Sequence, residues 1–193
     1  MVDKPLGGAG LRGQSAGETK LCTVGKSGSG LTYCGYDISD LAEHTSFEEV
    51  AYLLFNGELP NQQQLDTYKT KLKGMRDLPQ SLKEVLQRIP ADAHPMDVMR
   101  TGASFLGNIE PETSFEQQKH AADRLLAALP AIVVYWYRFS HDGVDIDCNT
   151  DEDSLGGHFL AMLHGKSPSE LHRRVMDVSL ILYAEHEFNA STF

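Results

Sequence analysis

From Tyr36 to the end of this 193-residue chain, apolar side chains recur at helical spacing, and helix start and stop signals bound the segments that carry them. That succession is the strongest constraint on the fold. Ser46 followed by Glu49 forms a capping box ahead of FEEVAYLLFN, which Gly57 ends. Asn61 can cap QQQLDTYKTKLKGM, where Leu65, Tyr68 and Leu72 share one side. SLKEVLQRI stops at Pro90, and Pro95 suits the first turn of PMDVMRTGASFLG because its missing N–H has no partner to lose there. Ser114 can open EQQKHAADRLLAAL, Pro130 should interrupt or kink the pattern, and AIVVYWYRFS then runs to Gly143. LGGHFLAMLHG begins near Ser154 and ends at Gly165. The last helix, SPSELHRRVMDVSLILYAEHEF, starts amphipathic, with Leu171, Val175, Val178 and Leu182 on one stripe. It turns apolar on every side from Val178 to Ala184, the pattern of a helix buried on all faces.

Before Tyr36 the chain is different. Residues 1–18 are rich in Gly and Ser without periodicity and read as an irregular segment. TKLCTVG and LTYCGY, separated by KSGSG, read as a β-hairpin whose glycines supply the positive φ of a tight reversal. The expected class is therefore all-α with a short N-terminal β-hairpin, in one domain or a large piece of one.

Charge and cysteine content narrow the function. Twenty-seven acidic and seventeen basic residues leave a formal charge of −10, which disfavours nucleic acid, although a small anion can still bind in a locally built pocket. Three cysteines, Cys22, Cys34 and Cys148, suit reduced thiols rather than a disulfide framework, with a Cys22–Cys34 bridge across the hairpin as the minor alternative. No secretory or transit pattern opens the chain, and no apolar run is long enough to cross a bilayer, so a cytoplasmic location without membrane contact is expected.

Several chemistries are weak on inspection. HEFNA lacks the second histidine of a zinc-protease helix, since Ala190 stands there. His158 and His164 are six apart and face different directions on a helix, so no metal site is expected. GKSGSG lies in the hairpin without a following helix and reads as a turn rather than a phosphate loop. His94, just before Pro95, reads as a helix cap, and YWYRF as packing or a subunit interface. His158, in GGHFL, is open between lining a pocket and filling the core beside two glycines.

The polar cluster AEHEFNASTF is the sharper candidate. If a buried helix delivers His186 and Asn189 to its far end, both need partners or a ligand, because an unpaired interior polar atom costs about 1–3 kcal/mol. Three residues apart, they share a face if the helix continues that far, and their donors and acceptors suit a small oxo-acid. On chemistry alone the choice between a satisfied interior histidine and a ligand group stays open. An imidazole facing bulk solvent, or sealed by neighbouring side chains with no room beside it, would overturn the idea of a histidine carried through a dry interior to touch a ligand.

The motifs themselves resemble a known family. YAEHEFNASTF is similar to the helix-end motif of citrate synthases, and LTYCGYDISDLAEHTSFEEVAYLLFNGELP is similar to that family's N-terminal stretch. HPMDVMRTG, YWYRFSHDG and GGHFLAMLHG follow in the family's order, and LCTVGKSG is typical of its 2-methylcitrate synthase branch. The likeness spans about residues 20–193. It implies condensation of propionyl-CoA with oxaloacetate and water, or of acetyl-CoA in an ordinary citrate synthase, with coenzyme A thioester as co-substrate and no other cofactor. It also implies a homodimer with a small CoA-binding domain. A non-catalytic helical interaction module is the alternative from another class.

By that resemblance His186 holds and polarises oxaloacetate, and Asn189 is a nearby substrate contact. The family's aspartate base, its two catalytic histidines and its carboxylate-binding arginines fall downstream of Phe193. Residues 19–193 are thus expected to be the N-terminal part of the large helical domain, without catalytic residues and inactive alone.

Overall fold

A computed structural model describes residues 17–25 and 30–188 of the chain. Residues 1–16 of the irregular N-terminal segment, the KSGS part of the hairpin reversal, and the end of the polar cluster AEHEFNASTF from Asn189 on lie outside the described residues. The sheet has three strands, β1 (Cys22–Val24), β2 (Leu31–Tyr33) and β3 (Tyr36–Asp37), in the order β1-β2-β3 and antiparallel throughout. The expected hairpin is there, with a third strand added. Cys34 and Gly35 make the β2–β3 reversal, with φ of 49° and 90°, so both central residues take the left-handed values that a tight two-residue hairpin turn demands. A two-residue strand carries too little pattern to be read from sequence.

Among the described residues eight α-helices follow: α1 (Ile38–His44), α2 (Phe47–Asn56), α3 (Gln62–Lys73), α4 (Gln80–Leu86), α5 (Pro95–Ile109), α6 (Gln118–Asp142), α7 (Leu155–His164) and α8 (Glu170–Leu182). The caps form as expected. Ser46 Oγ accepts from Glu49 N–H while the Glu49 carboxylate accepts from Ser46 N–H, and Asn61 pairs with Gln64 in the same reciprocal way. His94 Nδ1 accepts from Met96 N–H at 3.2 Å, which settles its role as a cap. Ser114 instead heads a single 3-10 turn, Phe115–Gln117, and α6 begins at Gln118.

Helix α6 is the axis of the molecule. It runs unbroken for 25 residues, so Pro130 neither ends nor interrupts it. The proline removes one backbone donor, but Ala127, Ala128, Ala131 and Ile132 around it are completely buried, and their packing outweighs the lost bond. Helix α5 approaches closely at Gly102, where a Cβ would lie 2.5 Å from Ile132 Cγ2. One core cluster joins α4, α5, α6 and α7 through Leu82, Leu86, Val98, Ile132, Tyr135, Trp136 and Met162. A second joins the sheet to α1, α2, α3 and α8 through Cys22, Tyr33, Leu41, Val50, Leu53, Leu72 and Ile181.

Helix α8 departs from its sequence reading. It is not buried on all faces: only Ile181 is fully enclosed, and the stripe drawn through Leu171, Val175 and Leu182 is 70%, 57% and 47% exposed. The elements packed on α8 are α1, α2 and α7, and they cover the opposite side. That side carries charge. The Arg174 guanidinium donates to the carbonyls of Ala42, Glu43 and Thr45 at the end of α1, and the Asp177 carboxylate accepts from Phe47 N–H at the start of α2. A cation on orphan carbonyls and an anion on an orphan N–H complement both helix ends, which is why these polar groups turn inward.

Candidate functional site

The candidate residues fall on the turn that follows α8. The helix ends at Leu182, with Tyr183 as its cap (φ −101°, ψ 3°), so it does not continue to Asn189 and the shared-face argument for His186 and Asn189 does not apply. Asn189 itself lies outside the described residues. His186 is exposed, and the expectation of an imidazole carried through a dry interior is corrected: the chain leaves the helix four residues before it.

What holds the turn is the small sheet. Cys22 and Tyr33 are directly opposed in the β1–β2 register, and both side chains point at residues 181–187. The Tyr33 hydroxyl donates to Ile181 O at 3.0 Å and accepts from Glu185 N–H at 3.3 Å. Cys22 Sγ accepts from Glu187 N–H at 2.9 Å and lies 3.7 Å from the Glu185 carboxylate. Glu187 sits at φ +59°, uncommon outside glycine, so the turn is held in a conformation its own sequence does not favour. Burial raises both the Tyr33 hydroxyl and the Cys22 thiol above their usual pKa values, with the glutamates adding to the effect at Cys22, and both stay protonated as neutral hydrogen-bonding groups. All three cysteines are free thiols.

His158 resolves the other way. It is completely buried, its Nδ1 pairs with Thr150 Oγ1 at 3.0 Å, and burial followed by the Arg76 charge lowers its pKa to about 3. It is a neutral core histidine. His164 is exposed, and no group of three or more potential metal ligands occurs among the described residues. Trp136 is packed, with its indole N–H donating to Ile89 O at 3.3 Å, and Arg138 donates to Leu163 O at 2.7 Å, so these two residues of YWYRF pack within the chain, while Tyr137 is exposed.

Sequence reasoning missed an interior charged network. Glu48 is 1% exposed and its Oε1 accepts from Leu155 N–H at 2.6 Å, so it caps the first turn of α7 from another helix; burial raises its pKa. Arg76, equally buried, donates to Glu152 O at 2.5 Å and to Asp153 O at 3.2 Å, and Arg173 makes a forked ion pair with Glu152 at 2.7 and 2.8 Å. These groups fix the loop leading into α7, and the only local signal was a glutamate on the apolar side of α2. A cavity of about 690 Å³ between α5 and α6, lined by Leu106, Glu110, His120 and Arg124, is lined by none of the candidate residues.

The family model for citrate synthase, C-terminal domain, matches residues 10–193. The chain belongs to the citrate synthase family. The 2-methylcitrate synthase of Shewanella oneidensis is 74% identical over 190 residues, covering 98% of this chain and 51% of that protein. The citrate/2-methylcitrate synthase of Bacillus subtilis is 34% identical over 196 residues, covering 100% of this chain and 52% of its own length. Among solved structures, the citrate synthase of Thermotoga maritima superposes with a TM-score of 0.81 at 29% identity, covering 96% of this chain and 48% of that one. That of Thermoplasma acidophilum, solved with carboxymethyl coenzyme A and oxaloacetate, shares the fold with a TM-score of 0.86 at 24% identity, covering 94% and 48%. The chain spans about half the length of the citrate synthase relatives it matches.

Proposed function

We propose that this chain forms the N-terminal part of the large helical domain of a cytoplasmic, homodimeric 2-methylcitrate synthase. That enzyme condenses propionyl-CoA with oxaloacetate and water to give 2-methylcitrate and CoA. The observation that carries the reading is the 74% identity to the Shewanella oneidensis 2-methylcitrate synthase across 98% of the chain. In this reading His186 donates to the keto acid from the turn after α8, with Asn189 beside it.

Glu185 and Glu187 flank His186, so the turn as a whole carries no net positive charge for a dicarboxylate, and in this reading arginines elsewhere in the complete enzyme supply it. No catalytic acid or base is assigned within residues 1–193, and no cofactor beyond the coenzyme A thioester is invoked.

The test is a comparison of kcat/KM for propionyl-CoA and acetyl-CoA, at saturating oxaloacetate, in the complete enzyme. A higher value for propionyl-CoA supports the reading. The reverse order supports the second reading, an ordinary citrate synthase, since one methylene is worth only about 1–3 kcal/mol in a pocket. The Bacillus subtilis relative, whose name joins both activities, keeps that second reading in view.

A further inference from the structure

The backbone on both sides of His186 is tied to the sheet, and nothing in the chemistry of condensation requires that. Glu185 N–H donates to the Tyr33 hydroxyl and Glu187 N–H donates to Cys22 Sγ, so the Ala184–Glu185 peptide, one removed from His186, and the His186–Glu187 peptide, directly after it, are anchored more than 150 residues away in sequence. Tyr33 is 0% exposed and Cys22 2%, so both anchors sit in the core, while the imidazole they frame is exposed. The Tyr33 hydroxyl also donates to Ile181 O, which fixes the last turn of α8 to the same strand pair. Glu187 at φ +59° has the left-handed conformation of a segment held by outside contacts.

We propose that Tyr33 and Cys22 are positioning residues for oxaloacetate binding: the strand pair β1–β2 sets the orientation of His186 by holding the Ala184–Glu185 and His186–Glu187 peptides that bracket it. The proposal rests on the reading of His186 as a substrate contact. A histidine on a free turn would sample many directions, and each would lose part of the affinity that a pre-set donor retains. Tyr33 and Cys22 touch no reacting atom, so their effect should fall on oxaloacetate and leave the acyl-CoA side nearly unchanged.

The experiment uses the complete enzyme. Tyr33→Phe keeps the ring in its core site and removes the hydroxyl. The expected result is a KM for oxaloacetate raised roughly three- to tenfold, about the worth of one net hydrogen bond, with the KM for propionyl-CoA changed less than about twofold. Cys22→Ser keeps an acceptor for Glu187 N–H and should remain near wild type, whereas Cys22→Ala should raise the oxaloacetate KM as Tyr33→Phe does. Hydrogen exchange gives a readout independent of turnover: the Glu185 amide should lose protection in Tyr33→Phe and the Glu187 amide in Cys22→Ala.

A folded, active Tyr33→Phe enzyme with an unchanged oxaloacetate KM overturns the proposal, as does an equal rise for both substrates. His186→Ala separates the two readings. If that variant leaves oxaloacetate binding intact, the substrate role of His186 fails first; if it weakens binding while Tyr33→Phe and Cys22→Ala do not, the positioning role alone fails.

Discussion

Helices α6 and α8 look alike in sequence, each an apolar helix of several turns, and the fold treats them oppositely. In α6, Ala127, Ala128, Ala131, Ile132 and Tyr135 are completely enclosed, with α3, α4, α5 and α7 all packed on it. In α8 one residue, Ile181, is enclosed, Leu171 and Val175 face outward, and Arg174 and Asp177 face inward. Apolar pattern states what a helix is able to bury. Which side it does bury depends on what stands beside it, and in α8 the two helix ends of α1 and α2, with their orphan backbone groups, draw the charged side inward.

The largest expected effect that tests this contrast lies in α6. Trp136→Ala empties a site 2% exposed and removes the indole donor to Ile89 O, and should lower the unfolding free energy by about 4 kcal/mol in denaturant titration. A loss near 1 kcal/mol would mean that the α6 interior is as loosely covered as α8.

His158 sharpens the same contrast through pH. His158 has a folded pKa of about 3 against an ordinary 6.5, so the folded state favours the neutral ring. A pKa lowered on folding contributes stability that is fully present above 6.5 and is lost as pH falls toward 3. Between pH 6.5 and 5 the loss should be about 2 kcal/mol, measured as the difference in acid-limb slope between the wild type and His158→Asn. If His158→Asn leaves the acid limb as steep as in the wild type, the enclosure of His158 is wrong.

Most of the helical frame was legible because caps and stops are local. Ser46–Glu49, Asn61–Gln64, His94 and Gly57 each act within a few residues, and each does what its spacing implies. The expected interruption at Pro130 does not occur, because its cost is local whereas the packing that offsets it comes from α5, α4 and α7. At the candidate site the sequence marked His186 but not what frames it. Cys22 and Tyr33 are some 150 residues distant in sequence, and their roles exist only once β1 and β2 lie beside the end of α8. The partners of Glu48 and Arg76 were invisible likewise: a glutamate on the apolar side of α2 and an arginine in the α3–α4 connection bond to the start of α7 and to the loop before it, more than 70 residues away.

The smallest expected effect is the most direct test of the α8 side of the contrast. Val175 is 57% exposed and Leu171 70%, so Val175→Gln and Leu171→Gln remove little apolar area that folding withdraws from water. Glutamine has a helix propensity at least equal to that of valine and close to that of leucine, so the backbone term is small as well. Each substitution should change the stability of the 193-residue chain by no more than about 0.5 kcal/mol, the range of surface positions without special contacts. A loss above about 1.5 kcal/mol, particularly one that grows with protein concentration, would mean that the stripe is covered in solution by another copy. In that event α8 would be buried on both sides, as its pattern alone implies, and its difference from α6 would belong to the isolated chain.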